Sequence, residues 1–193
     1  MTGSRGLAGI VVLFVVVVLV SISRGQVQPT GPFLFVWAGD EDRQDSDFLA
    51  VLDVRTQPEQ YGKVLATAPV GEKALYPHHT EEELGPSGML FANGFAGNRT
   101  FLFDLREPLE PRVTTRFGNV GDLKLSFLHG FFRLPNGHVV ATFQGLGDDN
   151  RRPGGLAVLD ELGRPVRAVT AADPTADQDT LRPYGLAVVP ALD

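Results

Sequence analysis

No cysteine occurs anywhere in the 193 residues. That absence removes disulfides, thiolate metal ligands and thiol nucleophiles together. Positive charge is also short: 17 basic residues stand against 23 acidic ones, for a formal net charge of −6, and no basic stripe or arginine-rich segment stands out. Nucleic acid is therefore not an expected partner. Helical patterning is missing as well. Between Pro32 and Asp193 no segment of ten residues joins a helical period to helix caps, and "TEEELG" from Thr80 offers at most one turn. Neither a nucleophile elbow nor a paired-carboxylate motif rises above background. The glycine-rich "FQGLGDDNRRPGG" follows no phosphate-binding spacing, which disfavours a nucleotide site.

What the chain does have begins at its N-terminus. "MTGSRGLAGIVVLFVVVVLVSISRGQ" carries Arg5, an apolar run from Leu7 to Ile22, then Ser23 and Arg24. The run is longer than a typical signal-peptide core of about 7–15 residues and shorter than a spanning helix of about 17–25. Residues 1–25 are thus expected to be a helical signal peptide or a membrane anchor through residues 7–22, and both readings stay open. The absence of cysteine excludes lipoprotein processing. Either way the rest of the chain is expected to be exported, to the periplasm or the extracellular space. Residues 26–32 read as a linker.

From residue 33 onward, strand-like runs alternate with Gly, Pro, Asn and Asp clusters, and the 22 glycines and 14 prolines suit many tight turns. Two phrases recur. One ends in aspartate: "DFLAVLDV" from Asp47, "RTFLFDLR" from Arg99, "GGLAVLDE" from Gly154. Each is followed by a polar turn and a further strand-like run: "GKVLATAPV", "PRVTTRF", "RPVRAVTAA". The second phrase falls between them: "PFLFVWAGD" from Pro32, "GMLFANGFAG" from Gly88, "GHVVATFQGLGD" from Gly137 and "YGLAVVPALD" from Tyr184. A period of roughly fifty residues with about four strands per copy indicates β-propeller blades. The competing architecture is a sandwich of ordinary hairpins; the fixed order of two interleaved phrases through three copies favours the propeller. Residues 33–193 then supply about three blades and the start of a fourth, fewer than the four or more that closure takes. The expectation is an all-β partial propeller in an incomplete chain, a fragment or one part of an assembly.

The chemistry-bearing side chains are few. Of four histidines, two are adjacent in "YPHHTEEELGPSG". Neighbours on a regular strand face opposite ways, so His78 and His79 can serve one site only where the backbone is irregular. His129 follows roughly one repeat later. Imidazole suits copper, zinc and iron, and three neutral rings with an open position make a workable metal site. Polar surface or satisfied loop residues are the bland alternative. His138, just after the turn in "PNGHVV", is expected to be solvent-exposed and is not counted. Glu81, Glu82 and Glu83 read as a solvated turn without a role. Asp53, Asp104 and Asp160 end equivalent strands, where turn-making is the better explanation. Trp37 is core or pocket wall, and "NRT" at 98–100 is formally a glycosylation sequon.

"FLFVWAGDEDRQDSDFLAVLDVRTQPEQYGKVLATAPV", followed by "PHH", resembles the opening of the selenium-binding protein / methanethiol oxidase family. "FLHGFFRLPNGHVVATFQGLGDDNRRPGGLAVLD" is similar to that family's later histidine-bearing stretch. The similarity runs in one register from about Phe33 to the end of the chain and covers roughly the N-terminal half of a family member. The resemblance implies a seven-bladed propeller and copper-dependent oxidation of a small thiol, methanethiol, to formaldehyde, hydrogen sulfide and hydrogen peroxide. It implies His78, His79 and His129 as metal ligands, with a further ligand from the C-terminal half. Two departures accompany it. The family's cysteines after "PHH" are replaced by "TEEELGPSG", and a second histidine of the later strand is Phe132. These departures favour the alternative, a non-catalytic propeller that binds a ligand or another protein.

Overall fold

The computed structural model describes residues 31–57, 59–148, 150, 153–175 and 181–189. The apolar N-terminal run, its expected helix and its fate as leader or anchor lie outside the described residues. Among those residues there is no helix long and apolar enough to cross a membrane.

All regular structure in the described chain is β. Eleven strands follow one another: β1 (Phe33–Ala38), β2 (Phe48–Asp53), β3 (Val64–Pro69), β4 (Pro77–Thr80), β5 (Met89–Gly94), β6 (Arg99–Asp104), β7 (Arg112–Phe117), β8 (Leu125–Arg133), β9 (Val139–Leu146), β10 (Gly155–Leu159) and β11 (Pro165–Thr170). They form three antiparallel sheets, ordered β1-β2-β3, β4-β5-β6-β7 and β11-β10-β9-β8, with every strand beside its neighbour in sequence. The sheets do not close into a barrel. The recurring phrases are now placed: the aspartate phrase forms β2, β6 and β10, and the second phrase forms β1, β5 and β9.

The aspartates earn their positions as turn formers. The backbone N–H of Arg55 donates to Asp53 at 2.9 Å, that of Arg106 to Asp104 at 3.1 Å, and that of Leu162 to Asp160 at 2.9 Å. Each carboxylate therefore closes an Asx-type turn two residues on, the short-range bond that makes Asp a good turn former. Each also holds an arginine: Arg55, Arg106 and Arg164 respectively.

The middle sheet explains why its strands read as unbroken apolar runs. Every residue of β5 is buried, as are four consecutive residues of β6. Side chains alternate between faces along a strand. Leu90, Ala92, Phe101 and Phe103 pack with Leu49, Ala68, Trp37 and Phe35 of the first sheet. Met89, Phe91 and Leu102 pack with Leu125, Leu128, Val139, Phe143 and Leu159 of the third. Both faces are covered, so alternation with polar residues is lost. Burying each phenylalanine contributes roughly 1.5–3 kcal/mol. Trp37 belongs to this packing: its ring lies 5.6 Å from that of Phe101 and 5.9 Å from that of Phe103.

Three expectations differ from what is found. "TEEELG" makes no helical turn, and Glu81 is buried at 5% exposure. Its carboxylate accepts from the Phe91 N–H and pairs with Arg133, which draws it inward. His138 is half-buried rather than exposed; its backbone N–H bonds Asn136 and its carbonyl accepts from the Leu134 N–H in a tight turn. Residues 184–189, the described part of the phrase read as the start of a fourth repeat, form no strand, nor do residues 181–183 before them. They dock on the third sheet instead: the Leu181 carbonyl accepts from the Gly154 N–H, and the Tyr184 carbonyl accepts from Thr142 Oγ1 at 2.7 Å.

The sequon at Asn98 is also accounted for. Its Nδ2 donates to Asn119 and its Oδ1 accepts from the Phe127 N–H, so the amide serves as a loop brace.

Candidate metal centre

The middle and third sheets each present their first strand, β4 and β8, to the other, and the histidines sit where these strands meet. Both strands break register at that point. Along β4, three residue steps from Pro77 to Thr80 face two along β5, from Gly94 to Ala92. Along β8, three steps from Leu128 to Phe131 face two along β9, from Phe143 to Ala141. An extra residue on one strand is a β-bulge, which bends the strand and re-aims its side chains. This is the irregularity that His78 and His79 needed in order to share a side.

A bulge leaves a backbone N–H without its ladder partner, and here a side chain replaces it in each case. The His79 N–H donates to Asn93 Oδ1 at 2.6 Å. The Gly130 N–H donates to Thr142 Oγ1 at 2.9 Å. Asn93 and Thr142 occupy matching places in the second phrase, "FAN" and "VAT". Glycine at 130 suits the crowding: a Cβ there would sit 3.2 Å from the Tyr184 carbonyl and 3.3 Å from Thr142 Oγ1.

The result is a cluster of three imidazoles. One ligand nitrogen from each of His78, His79 and His129 lies within 4.8 Å of the others. His78 Nε2 and His129 Nε2 are 2.9 Å apart. Ring centroids are separated by 4.3 Å for His78–His79, 4.7 Å for His78–His129 and 4.6 Å for His79–His129. His129 is buried, His78 half-buried and His79 exposed. Phe95 covers one side, 5.4 Å from His78 and 5.8 Å from His129, and the Tyr184 ring lies over His129 at 3.5 Å.

Burial and neighbouring charge favour the neutral form of His129 and His78. Burial, followed by the neighbouring His79 and then His78, pushes the His129 imidazole down to about 4; its hydrogen bond to the Tyr184 backbone pulls the other way. Burial and then His79 lower His78. Neutral imidazole is the form that binds metal. The donor set therefore fits an ion of the copper, zinc or iron class. Metal–imidazole bonds of about 2.0–2.1 Å place three ligand nitrogens roughly 3.3–3.6 Å apart, so binding would open the 2.9 Å His78–His129 contact and draw the wider spacing, up to 4.8 Å, inward by about an ångström.

Two features that sequence reasoning missed clamp the site. Asn93 is a buried amide in an apolar strand, and that polar interruption of "MLFANG" was the available signal. Beyond the histidines, Arg133 of β8 grips Glu81, just after β4, with paired bonds of 2.9 and 2.8 Å. Their distance of 52 residues in sequence gave no sign of it. A recess of about 210 Å³ opens beside the cluster, lined by His79, His129, Glu82, Phe131, Tyr184 and Leu186 among others. Its size falls below the 300–1,000 Å³ usual for drug-sized ligands and suits a molecule of a few heavy atoms.

No family model matches the chain. The chain is 30% identical over 141 residues to a methanethiol oxidase of a Hyphomicrobium species, a match that takes in 68% of this chain and 30% of that protein. Its fold is similar to that of a hypothetical selenium-binding protein from Sulfolobus tokodaii, with a TM-score of 0.57 and 21% identity over 72% of this chain and 34% of the other. The chain spans about a third of the length of each. Sequence relationship and shared fold together identify it as a member of the selenium-binding protein / methanethiol oxidase family.

Proposed function

We propose that His78, His79 and His129 hold a copper ion in a protein that oxidises a small thiol, methanethiol in the first instance, with oxygen and water to formaldehyde, hydrogen sulfide and hydrogen peroxide. The observation that carries this reading is the convergence of three imidazoles from two bulged strands, with ligand nitrogens within 4.8 Å. Copper bound there would supply one-electron redox chemistry at a thiol. The chain's own contribution is positional. The paired bulges aim the rings, Phe95 and Tyr184 shield His129 from water, and the recess of about 210 Å³ beside the cluster offers room for a small substrate. No cysteine of this chain takes part.

In this reading the three sheets are consecutive blades of a β-propeller, with β4 and β8 as the strands nearest its axis. The repeat of strand order and the bulge at corresponding places support it. The apolar run at residues 7–22 would carry the domain out of the cytoplasm, as a cleaved leader or as an anchor.

The test is metal analysis of the purified full-length protein beside a His78→Ala, His79→Ala double variant, paired with a sulfide and peroxide assay on methanethiol. The expected result is stoichiometric copper in the parent, lost with activity in the variant. Metal-free parent protein with an intact fold would overturn the oxidase. It would point to the second reading, a ligand- or protein-binding module, which is favoured by Phe132, exposed at the edge of a neighbouring cavity.

A further inference from the structure

Asn93 is 1% exposed, and its side chain and carbonyl both bond across strand boundaries. Its Oδ1 accepts the N–H that the β4 bulge frees at His79. Its Nδ2 donates to the carbonyl of Leu128, the residue before His129. Its own carbonyl accepts from Trp37 Nε1 at 2.9 Å, which ties the first sheet to the same point. A single amide thus touches the backbone beside two of the three imidazoles.

The third sheet repeats the device. Thr142 Oγ1 accepts the freed N–H of Gly130 and donates to the Tyr184 carbonyl. One side chain closes the bulge of its own sheet and donates to the segment that follows. At position 93 the job demands an acceptor and a donor on one short side chain. Aspartate supplies only the acceptor and sets a negative oxygen against the Leu128 carbonyl; leucine supplies neither.

We propose that Asn93 is a positioning residue that sets the spacing between His79 and His129, and through it the metal affinity of the cluster. This rests on the metal reading above. Partners that orient ligands in this way change metal affinity by roughly 10–100-fold when removed.

The experiment uses the full chain and Co(II), whose ligand-field spectrum reports coordination. Three variants are compared, Asn93→Asp, Asn93→Leu and Asn93→Thr, with Leu49→Ala as a core truncation in the first sheet. Folding is followed by circular dichroism. The expected result is folded Asp and Leu variants whose Co(II) affinity falls at least tenfold with an altered spectrum. Asn93→Thr, which imports the chemistry of Thr142, is expected to recover part of the affinity, and Leu49→Ala to keep the parent spectrum. Should the Leu variant fail to fold, the contrast of Asp with Thr carries the same information. Unchanged affinity and spectrum in the folded variants would overturn the proposal. A parent that takes up no Co(II) overturns the metal reading instead. Ring-to-ring NOEs between His129 and the β4 imidazoles then decide Asn93: their loss in the folded variants supports it, and their persistence rejects it.

Discussion

His78 Nε2 and His129 Nε2 lie 2.9 Å apart although 51 residues separate them in the chain. Without metal one ring donates to the other, and a cation shared by both would replace that hydrogen bond. The short distance makes the cluster sensitive to both metal and protons.

Metal should stabilise the fold by mass action. A ligand that binds only the folded state at a hundred times its dissociation constant adds about 2.7 kcal/mol. Added Cu(II) or Zn(II) is expected to raise the thermal midpoint of the parent and leave His129→Gln unmoved. Calorimetric scans with and without metal check this. Equal shifts in both proteins would place the binding elsewhere.

Acid should destabilise the metal-free protein through His129. Its imidazole sits at about 4, against an ordinary 6.5. A group with a lowered value binds fewer protons folded than unfolded, so acidification favours unfolding. The contribution is whole above pH 6.5 and is lost as pH falls through about 4. Urea midpoints across that window, compared with those of His129→Gln, are expected to show a steeper decline in the parent. NMR titration of the ring should place its midpoint well below 6.5.

Breaking the Glu81–Arg133 pair from one side should cost much more than replacing both partners. The two side chains are 3% and 12% exposed. Glu81→Leu leaves the Arg133 guanidinium without its carboxylate, bonded to the Gly137 and Met89 carbonyls, and removes the side-chain acceptor of the Phe91 N–H. The expected loss is about 3–5 kcal/mol. Arg133→Met alone should lose a similar amount, and the double variant less than the sum of the two. A double-mutant cycle by urea unfolding measures the coupling.

Trp37 is the chain's one tryptophan, and it lies at the seam of the first two sheets, between Phe101, Phe103 and the Asn93 carbonyl. Its fluorescence therefore reports the seam rather than the whole. In cooperative unfolding, the fluorescence and circular dichroism transitions coincide. Trp37→Phe forfeits one half-buried hydrogen bond to the Asn93 carbonyl and is expected to cost about 1–3 kcal/mol.

Much of the fold was legible because strand patterning is local. "RTFLFDLR" and "GGLAVLDE" end in an aspartate whose carboxylate bonds the backbone two residues on, and such a turn is written within a few positions of sequence. The recurrence of these phrases corresponds to the repeated sheets, with the aspartate phrase forming β2, β6 and β10. The extended character of "YGLAVVP" misled, because strand pairing needs a partner. Among the described residues Tyr184 and Leu181 instead meet the third sheet through single bonds to Thr142 and Gly154.

The site divides in the same way. The residue types by themselves determined which side chains were suited to hold a metal, since a chain without cysteine but with "PHH" and "LHG" has imidazole to offer and no thiolate. Only the tertiary structure decided that they meet, because convergence depends on two bulges and on bonds between distant strands. Asn93 to Leu128 and Glu81 to Arg133 join residues 35 and 52 positions apart. Such contacts arise when sheets pack, and no local pattern of hydrophobicity or turn chemistry encodes them.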